Sequence, residues 1–203
     1  MKKNVIPKSL ILLFLSLGFI GCLTPIKTDY SIKYYLNPTI EEQKGEYTGL
    51  TIGIRGLEVS RSITSYITFL EQGKLYSKEG LEWAEHPVEV IEKLILKSME
   101  KTGRFQDISK TVELKNPDLV LTGEVEQFYC IKEGNIKKVL ILLNMRIRET
   151  KTSKNILSKE FVVERIFERE EQINEVVNKA LSDLSQQIQK EVNKTSFLEN
   201  IIR

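Results

Sequence analysis

Apolar positions along this chain fall into three rhythms, and each predicts a different kind of element. An apolar run covers 10–20, after the basic start Met1-Lys2-Lys3 and before Gly21-Cys22. A period of two, the mark of strands, recurs further on. Leu50, Ile52 and Ile54 share one face of a segment over 50–59, and Leu119, Leu121, Gly123 and Val125 share one over 119–132. Val139, Ile141, Leu143, Met145 and Ile147 do the same over 137–150, and Leu157, Phe161, Val163 and Phe167 over 156–167. Shorter strand-like pieces are predicted at 34–36, 66–70, 74–76 and 105–108, with a polar loop over 41–49. Turn chemistry separates them at Asn37-Pro38, Gln72-Gly73, Ser77-Lys78-Glu79-Gly80, Asn116-Pro117-Asp118 and Thr152-Ser153-Lys154-Asn155. Gly134-Asn135 is a two-residue type II′ hairpin signal.

The third rhythm is helical. Val88, Ile91, Leu94, Ile95 and Met99 form a stripe behind Pro87, and Gly103 suits the position just past the end, so a helix is predicted over 87–102. Ile173, Val176, Val177, Ala180, Leu181, Leu184, Ile188 and Val192 form a longer stripe opposite Gln, Lys, Glu and Asn. That helix is expected to pack on its own sheet. The elements add up to an α+β (or α/β) domain: a largely antiparallel sheet covered by two amphipathic helices. The residues over 195–203 are expected to be a frayed tail.

The first rhythm is not part of that domain. Eleven apolar helical residues span roughly 16 Å, against a hydrocarbon core of about 30 Å, too short for a stable transmembrane helix. With the basic residues before it, the run suits the apolar region of a secretory signal. Phe19-Ile20-Gly21-Cys22 resembles a bacterial lipobox. Cleavage between Gly21 and Cys22 would leave Cys22 as the first residue, its thiol carrying a diacylglycerol. The expected plan is a signal over 1–21, a tether over 22–32, a domain over 33–194 and the tail. Two or three acyl chains hold a protein stably on a bilayer. Leu23 in place of Asp leans the sorting towards the periplasmic face of the outer membrane, by resemblance to enterobacterial rules.

Cleavage also changes the charge. Loss of Lys2, Lys3 and Lys8 takes the 30 basic residues to 27 against 28 acidic ones, turning a net of +2 into −1. No basic surface is indicated, so a nucleic-acid partner is not expected. Only two cysteines exist, and with Cys22 acylated Cys130 is alone, read as a buried structural thiol. The single histidine, His86, sits beside Pro87 at a helix start, where a cap or a solvated loop is its expected role. No metal-ligand spacing appears. Gly49, Gly53 and Gly56 lack the following helix that a phosphate cradle needs, and bulges or close backbone approach explain them. Glu170-Glu171 reads as solvated charge at a helix start, and Trp83 as a core or interface anchor. No catalytic residues, metal or cofactor are predicted.

The ordered pieces resemble the ABC-type transport auxiliary lipoproteins, the PqiC-like family. The resemblance is carried by the lipobox Cys22, by Tyr34-Tyr35-Leu36, and by Leu81-Glu82-Trp83-Ala84-Glu85-His86-Pro87 opening a helix that closes at Lys101-Thr102-Gly103-Arg104-Phe105. Asp118-Leu119-Val120-Leu121-Thr122-Gly123-Glu124-Val125 and a final long helix complete it. Where members often carry prolines before the Trp segment, this chain has Ser62-Ile63-Thr64-Ser65. The resemblance implies a non-enzymatic, lipid-anchored part of an envelope system moving lipids or other hydrophobic molecules. Its implied partners are an MCE-domain substrate-binding protein and, through it, an ABC permease and ATPase. Docking would use exposed residues such as Tyr66, Phe69 or Trp83. The alternative is an oligomerising or chaperone-like lipoprotein for outer-membrane assembly or secretion, of TolB-like or curli-secretion-like type. A lipid carrier in its own right would need a closed apolar cavity.

Overall fold

The computed structural model describes residues 31–197. The lipobox, with Gly21 and Cys22, and most of the tether lie outside the described residues. In chain order the elements are β1 (Ile32–Tyr34), β2 (Thr51–Ile54), β3 (Glu58–Val59), β4 (Tyr66–Glu71), β5 (Lys74–Trp83), α1 (Pro87–Thr102), β6 (Asp107–Lys110), β7 (Leu119–Glu133), β8 (Ile136–Glu149), β9 (Asn155–Ile166) and α2 (Ile173–Lys194). A single 3-10 turn, Glu170–Gln172, leads into α2.

Strand β7 is the spine of one mixed sheet. Along one edge it receives β2, β3 and β4 in succession, all parallel. Along the other it pairs with β8, and β8 with β9, both antiparallel. Outside these lie β6 on β2, β5 on β4 and β1 on β5. The fold is α+β, as the alternation predicts. The long pairings are antiparallel, and the short strands preceding α1 and β7 add in parallel because they enter after crossovers.

Helix α1 occupies the residues its stripe predicts. His86 Nδ1 accepts from the Val88 N–H at 3.4 Å, and the helix stops at Gly103, whose φ is 62°. Helix α2 packs on β8, β9 and α1, with Ser98 and Ser185 hydrogen-bonded at 2.7 Å where the helices meet. Its polar face is not free either. Asn178, Ser182 and Gln189 accept from the backbone N–H groups of Asn37, Thr39 and Gln43, so the polar loop lies along the helix.

Four expectations are corrected. The first strand sits at Ile32–Tyr34, and Tyr35 projects to solvent. The segment over 50–59 breaks into β2 and β3, because the Leu57 N–H leaves the ladder to donate to Glu92 Oε1 at 2.7 Å. The turn expected over 77–80 is a wide bulge inside β5. Ser77 pairs with Thr68 and Glu82 with Tyr66, and Gly80 takes φ 76°, which a side chain would resist. The tail is not frayed as far as Phe197, which is fully buried. Its ring stacks edge-on against Phe105 at 5.4 Å and lies under the Arg104 guanidinium at 5.0 Å. Arg104 is itself buried and donates to the carbonyls of Val192, Thr195 and Glu46, closing the C-terminal end of α2.

Candidate docking surface

Strand alternation gives the sheet two faces. Beneath the helices lie Phe69, Cys130, Ile141, Phe161 and Val163, all buried. The other face is open, with Ser158, Glu160, Val162, Glu164 and Ile166 of β9 exposed along it.

A bulge in β7 decides which residues reach that face. The register shifts between Val125 and Gln127. Before it, Leu119, Leu121 and Val125 point into the core; after it, Phe128 and Cys130 do. Tyr129 and Ile131 are thereby turned to the open face.

The open face changes character along its length. Near the β8–β9 turn it is polar, with Glu124, Asn144 and Glu160 in register and Arg146 beside Ser158. Towards the hairpin turns at Gly73 and Gly134 it becomes apolar. One row across the sheet reads Leu75, Leu70, Ile131, Lys138, Ile166. The rows behind it hold Tyr129 and Leu140, then Leu142 and Val162. Tyr66 flanks them on β4, two and four residues before Thr68 and Leu70. Exposure is 48% at Tyr66, 47% at Leu75 and 45% at Val162, rising to 56% at Ile136 and 73% at Ile166. Ile131 and Leu140 in these rows are themselves buried, so the exposed apolar side chains are those around them, and exposed apolar side chains grouped in this way are the candidate contact surface.

Of the three residues expected to meet a partner, the structure leaves one available. Tyr66 is on the open face. Phe69 is fully buried, stacked on Tyr76 at 5.6 Å with Lys132 Nζ 4.2 Å from its centroid. Trp83 is 4% exposed, edge-on to Phe128 at 5.8 Å and to Tyr34 at 6.3 Å. Both aromatics are core anchors: alternation puts Phe69 under the helices, and the β5 bulge returns Trp83 to that side.

A polar cluster closes the covered face at the same end. Lys132 Nζ donates to Glu170 Oε1 at 2.8 Å, and Lys78 meets the other oxygen of that carboxylate. The hydrogen bonds from Lys132 and then Lys78 hold the Glu170 carboxyl down to about 2. Burial pulls Lys132 down, but bonds to Glu170 and Tyr76 outweigh it and raise its pKa. Glu170 is thus a tied counter-ion and not the solvated charge its context suggests. No local pattern could reveal this, since the partners come from β5 and β7.

The remaining candidates have structural roles. Burial pushes the Cys130 thiol up to about 12, so it is not a nucleophile at neutral pH. At Gly53 an added Cβ would stand 2.8 Å from Pro117, so close approach explains that glycine. Among the described residues no three His, Cys, Asp or Glu side chains converge to hold a metal ion, and no helix is long and apolar enough to cross a membrane. A cleft of about 370 Å³ beside α1 is lined by Ile54, Leu96, Lys110 and Val112, and one of about 620 Å³ by Glu164, Arg165, Asp183 and Gln187. Both open to solvent.

No protein-family model and no curated protein matches the sequence. The fold does match solved structures. Protein XCC0632 from Xanthomonas campestris, of the family DUF330, superposes with a TM-score of 0.71 at 15% identity, over 80% of this chain and 95% of that one. An uncharacterised protein superposes with a TM-score of 0.58 at 11% identity, over 76% of this chain and 99% of that one. At such identities the likeness is one of fold.

Proposed function

We propose that this chain is a non-catalytic lipoprotein of the bacterial cell envelope, held by acylated Cys22 at the periplasmic face of the outer membrane. It docks the periplasmic MCE-domain protein of an ABC-type system that moves lipids or other hydrophobic molecules. The observation that carries this reading is a lipobox, Phe19-Ile20-Gly21-Cys22, joined to a body with an apolar open face. The fold shared with a DUF330 protein and the Trp83-Ala84-Glu85-His86-Pro87 segment support it. The ATP site belongs on another chain, consistent with glycines that serve packing here. The open face around Tyr66, Leu142 and Val162 is the docking surface, since Phe69 and Trp83 are spent in the core.

The test is photo-cross-linking in cells from positions 66 and 162, with position 151 as a control. Recovery of an MCE-domain protein from the first two alone supports the reading. Cross-links only to other components, with the acyl group present, remove the transport assignment. A second reading, a self-assembling lipoprotein for outer-membrane assembly or secretion, is favoured by the outer edge of β9, twelve residues long, which pairs with no other strand among the described residues. Light scattering of the detergent-solubilised protein separates the two.

A further inference from the structure

We infer that the outer edge of β9 takes up an extended segment of another protein as an added strand, laid between that edge and α2, and selects a segment in which basic residues flank an apolar one. The inference concerns the edge of the sheet and not its open face, and it does not depend on the anchor at Cys22.

The edge is a row of backbone donors and acceptors. The Phe167 N–H donates to the Lys137 carbonyl, and the register of β8 and β9 runs on from there without a break to Leu157. Alternation then points the N–H and C=O groups of Phe161, Val163 and Arg165 at β8, and those of Glu160, Val162 and Glu164 outward. Among the described residues no strand pairs with that outward side.

The edge also has a wall. The cleft of about 620 Å³ lies along it, with the consecutive strand residues 162–165 on one side and Asp183, Gln187 and Lys190 of α2 on the other. Those helix positions are three and four apart and so share one flank. The Arg165 guanidinium donates through Nε and Nη2 to the two Asp183 oxygens, at 2.5 and 2.7 Å, and ties helix to strand at this point. An extended peptide beside such an edge gains main-chain hydrogen bonds from the strand, and its alternate side chains meet the helix.

Charge identifies the occupant. On the open-face side Glu160 and Glu164 bracket Val162, and all three are exposed. Residues directly opposite on neighbouring antiparallel strands share a face, where opposite charges and paired apolar groups stabilise and like charges do not. A strand with Lys or Arg opposite each glutamate and a β-branched residue opposite Val162 satisfies all three positions. A second copy of β9 does not. Pairing Val162 with itself about a two-fold axis sets Glu160 against Glu164 twice, and Lys159 against Arg165 on the other side of the sheet. Towards α2 the incoming strand meets Gln187 and Lys190, which suits small polar residues at its alternate positions.

The experiment uses the full chain, purified in dodecyl maltoside, and a fluorescein-labelled peptide, Thr-Lys-Thr-Val-Thr-Lys-Thr, followed by anisotropy. Two N-methylated forms carry the discrimination. Methylation at the lysines and valine removes the donors that face β9; methylation at the two central threonines removes donors that face away. The expected result is saturable binding of the parent and threonine-methylated peptides and none of the lysine- and valine-methylated one. Val162→Pro removes an outward N–H and leaves the β8 ladder intact, as proline does on an edge strand, and should weaken binding about tenfold. Glu160→Lys should weaken it about threefold. Circular dichroism checks the folding of each variant, and the methylation contrast needs no variant at all. Equal binding of the two methylated forms overturns the added strand. Equal binding of a peptide with glutamate in place of lysine overturns the chemistry assigned to the partner. Absence of binding by the parent peptide overturns the inference outright. Self-association of the protein that Val162→Pro abolishes gives the edge to a second copy, and overturns it too.

Discussion

Neighbouring residues on β9 show what separates the two faces of this sheet. Phe161 and Val163 lie under α2 and are buried; Val162, between them, is 45% exposed. In the polar half of the open face the usual alternation holds, apolar inside and charged outside. In the half near the hairpin turns the open face carries apolar residues as well, set around the Lys138–Glu164 pair. Folding needs only one of them, because a strand with apolar residues on both sides does not specify its own register by hydrophobicity. The exposed apolar residues of the open face, Tyr66, Leu75, Val162 and Ile166 among them, are therefore what the fold leaves for contact with something else, and the β7 bulge adds the half-buried Tyr129 beside them.

The contrast is sharpest in stability. Phe161→Ala should cost about 3–5 kcal/mol, the range for truncating a buried aromatic. Val162→Ala should cost within about 0.5 kcal/mol, as an exposed substitution does. Urea unfolding of the two variants measures both, and comparable losses would mean the open face is covered after all. Arg104→Ala should fall just below the first, at about 2–4 kcal/mol, because it strips donors from three carbonyls at a buried helix end. Amide exchange should then rise around Phe197 before it rises in β8.

Glu170 tests the end of the covered face. Its folded carboxyl lies near 2, below the ordinary 4.5, so the unfolded chain takes up the proton more readily. Its contribution is present above about pH 4.5 and is lost as pH falls from there towards 2. Glu170→Gln should cost about 1–2 kcal/mol at neutral pH, leaving Lys132 over the Phe69 ring without its counter-ion. The gap between the variant and the parent protein should narrow over that acid window. A constant gap from pH 7 to 2 would mean that the carboxylate is not tied in solution.

How much of this was written locally differs by element. α1 was legible to the residue, since His86, Pro87 and Gly103 mark its ends by local chemistry. The long β7, β8 and β9 were legible because period-two patterns persist over more than ten residues. β5 was not, because Ser77-Lys78-Glu79-Gly80 has turn composition and only the pairing of Glu82 with Tyr66 shows the strand resuming. The same limit hid which of the candidate contact residues are exposed. Phe69 and Tyr66 look alike as aromatic strand residues, and only the faces of β4, fixed by Ile67 and Phe69 under the helices, separate them. The loop along α2 was hidden too, although Asn178, Ser182, Gln189 and Asn193 stand at intervals that keep one polar side of the helix towards it.

An effect on stability that is small at each position is also the one that isolates function. The triple variant Tyr66→Ser, Val162→Ser, Ile166→Ser changes only exposed side chains on the open face. Each change should shift stability by about 0.5 kcal/mol or less, and the unfolding curve should keep its slope. The three losses should add, because Tyr66 and Ile166 lie on strands separated by β7 and β8. Photo-cross-linking from position 142, in register with Val162, to the proposed MCE-domain partner should nevertheless be lost, since a few anchor residues carry most of a contact's strength. Retained cross-linking in a fully folded triple variant would move the proposed docking surface elsewhere.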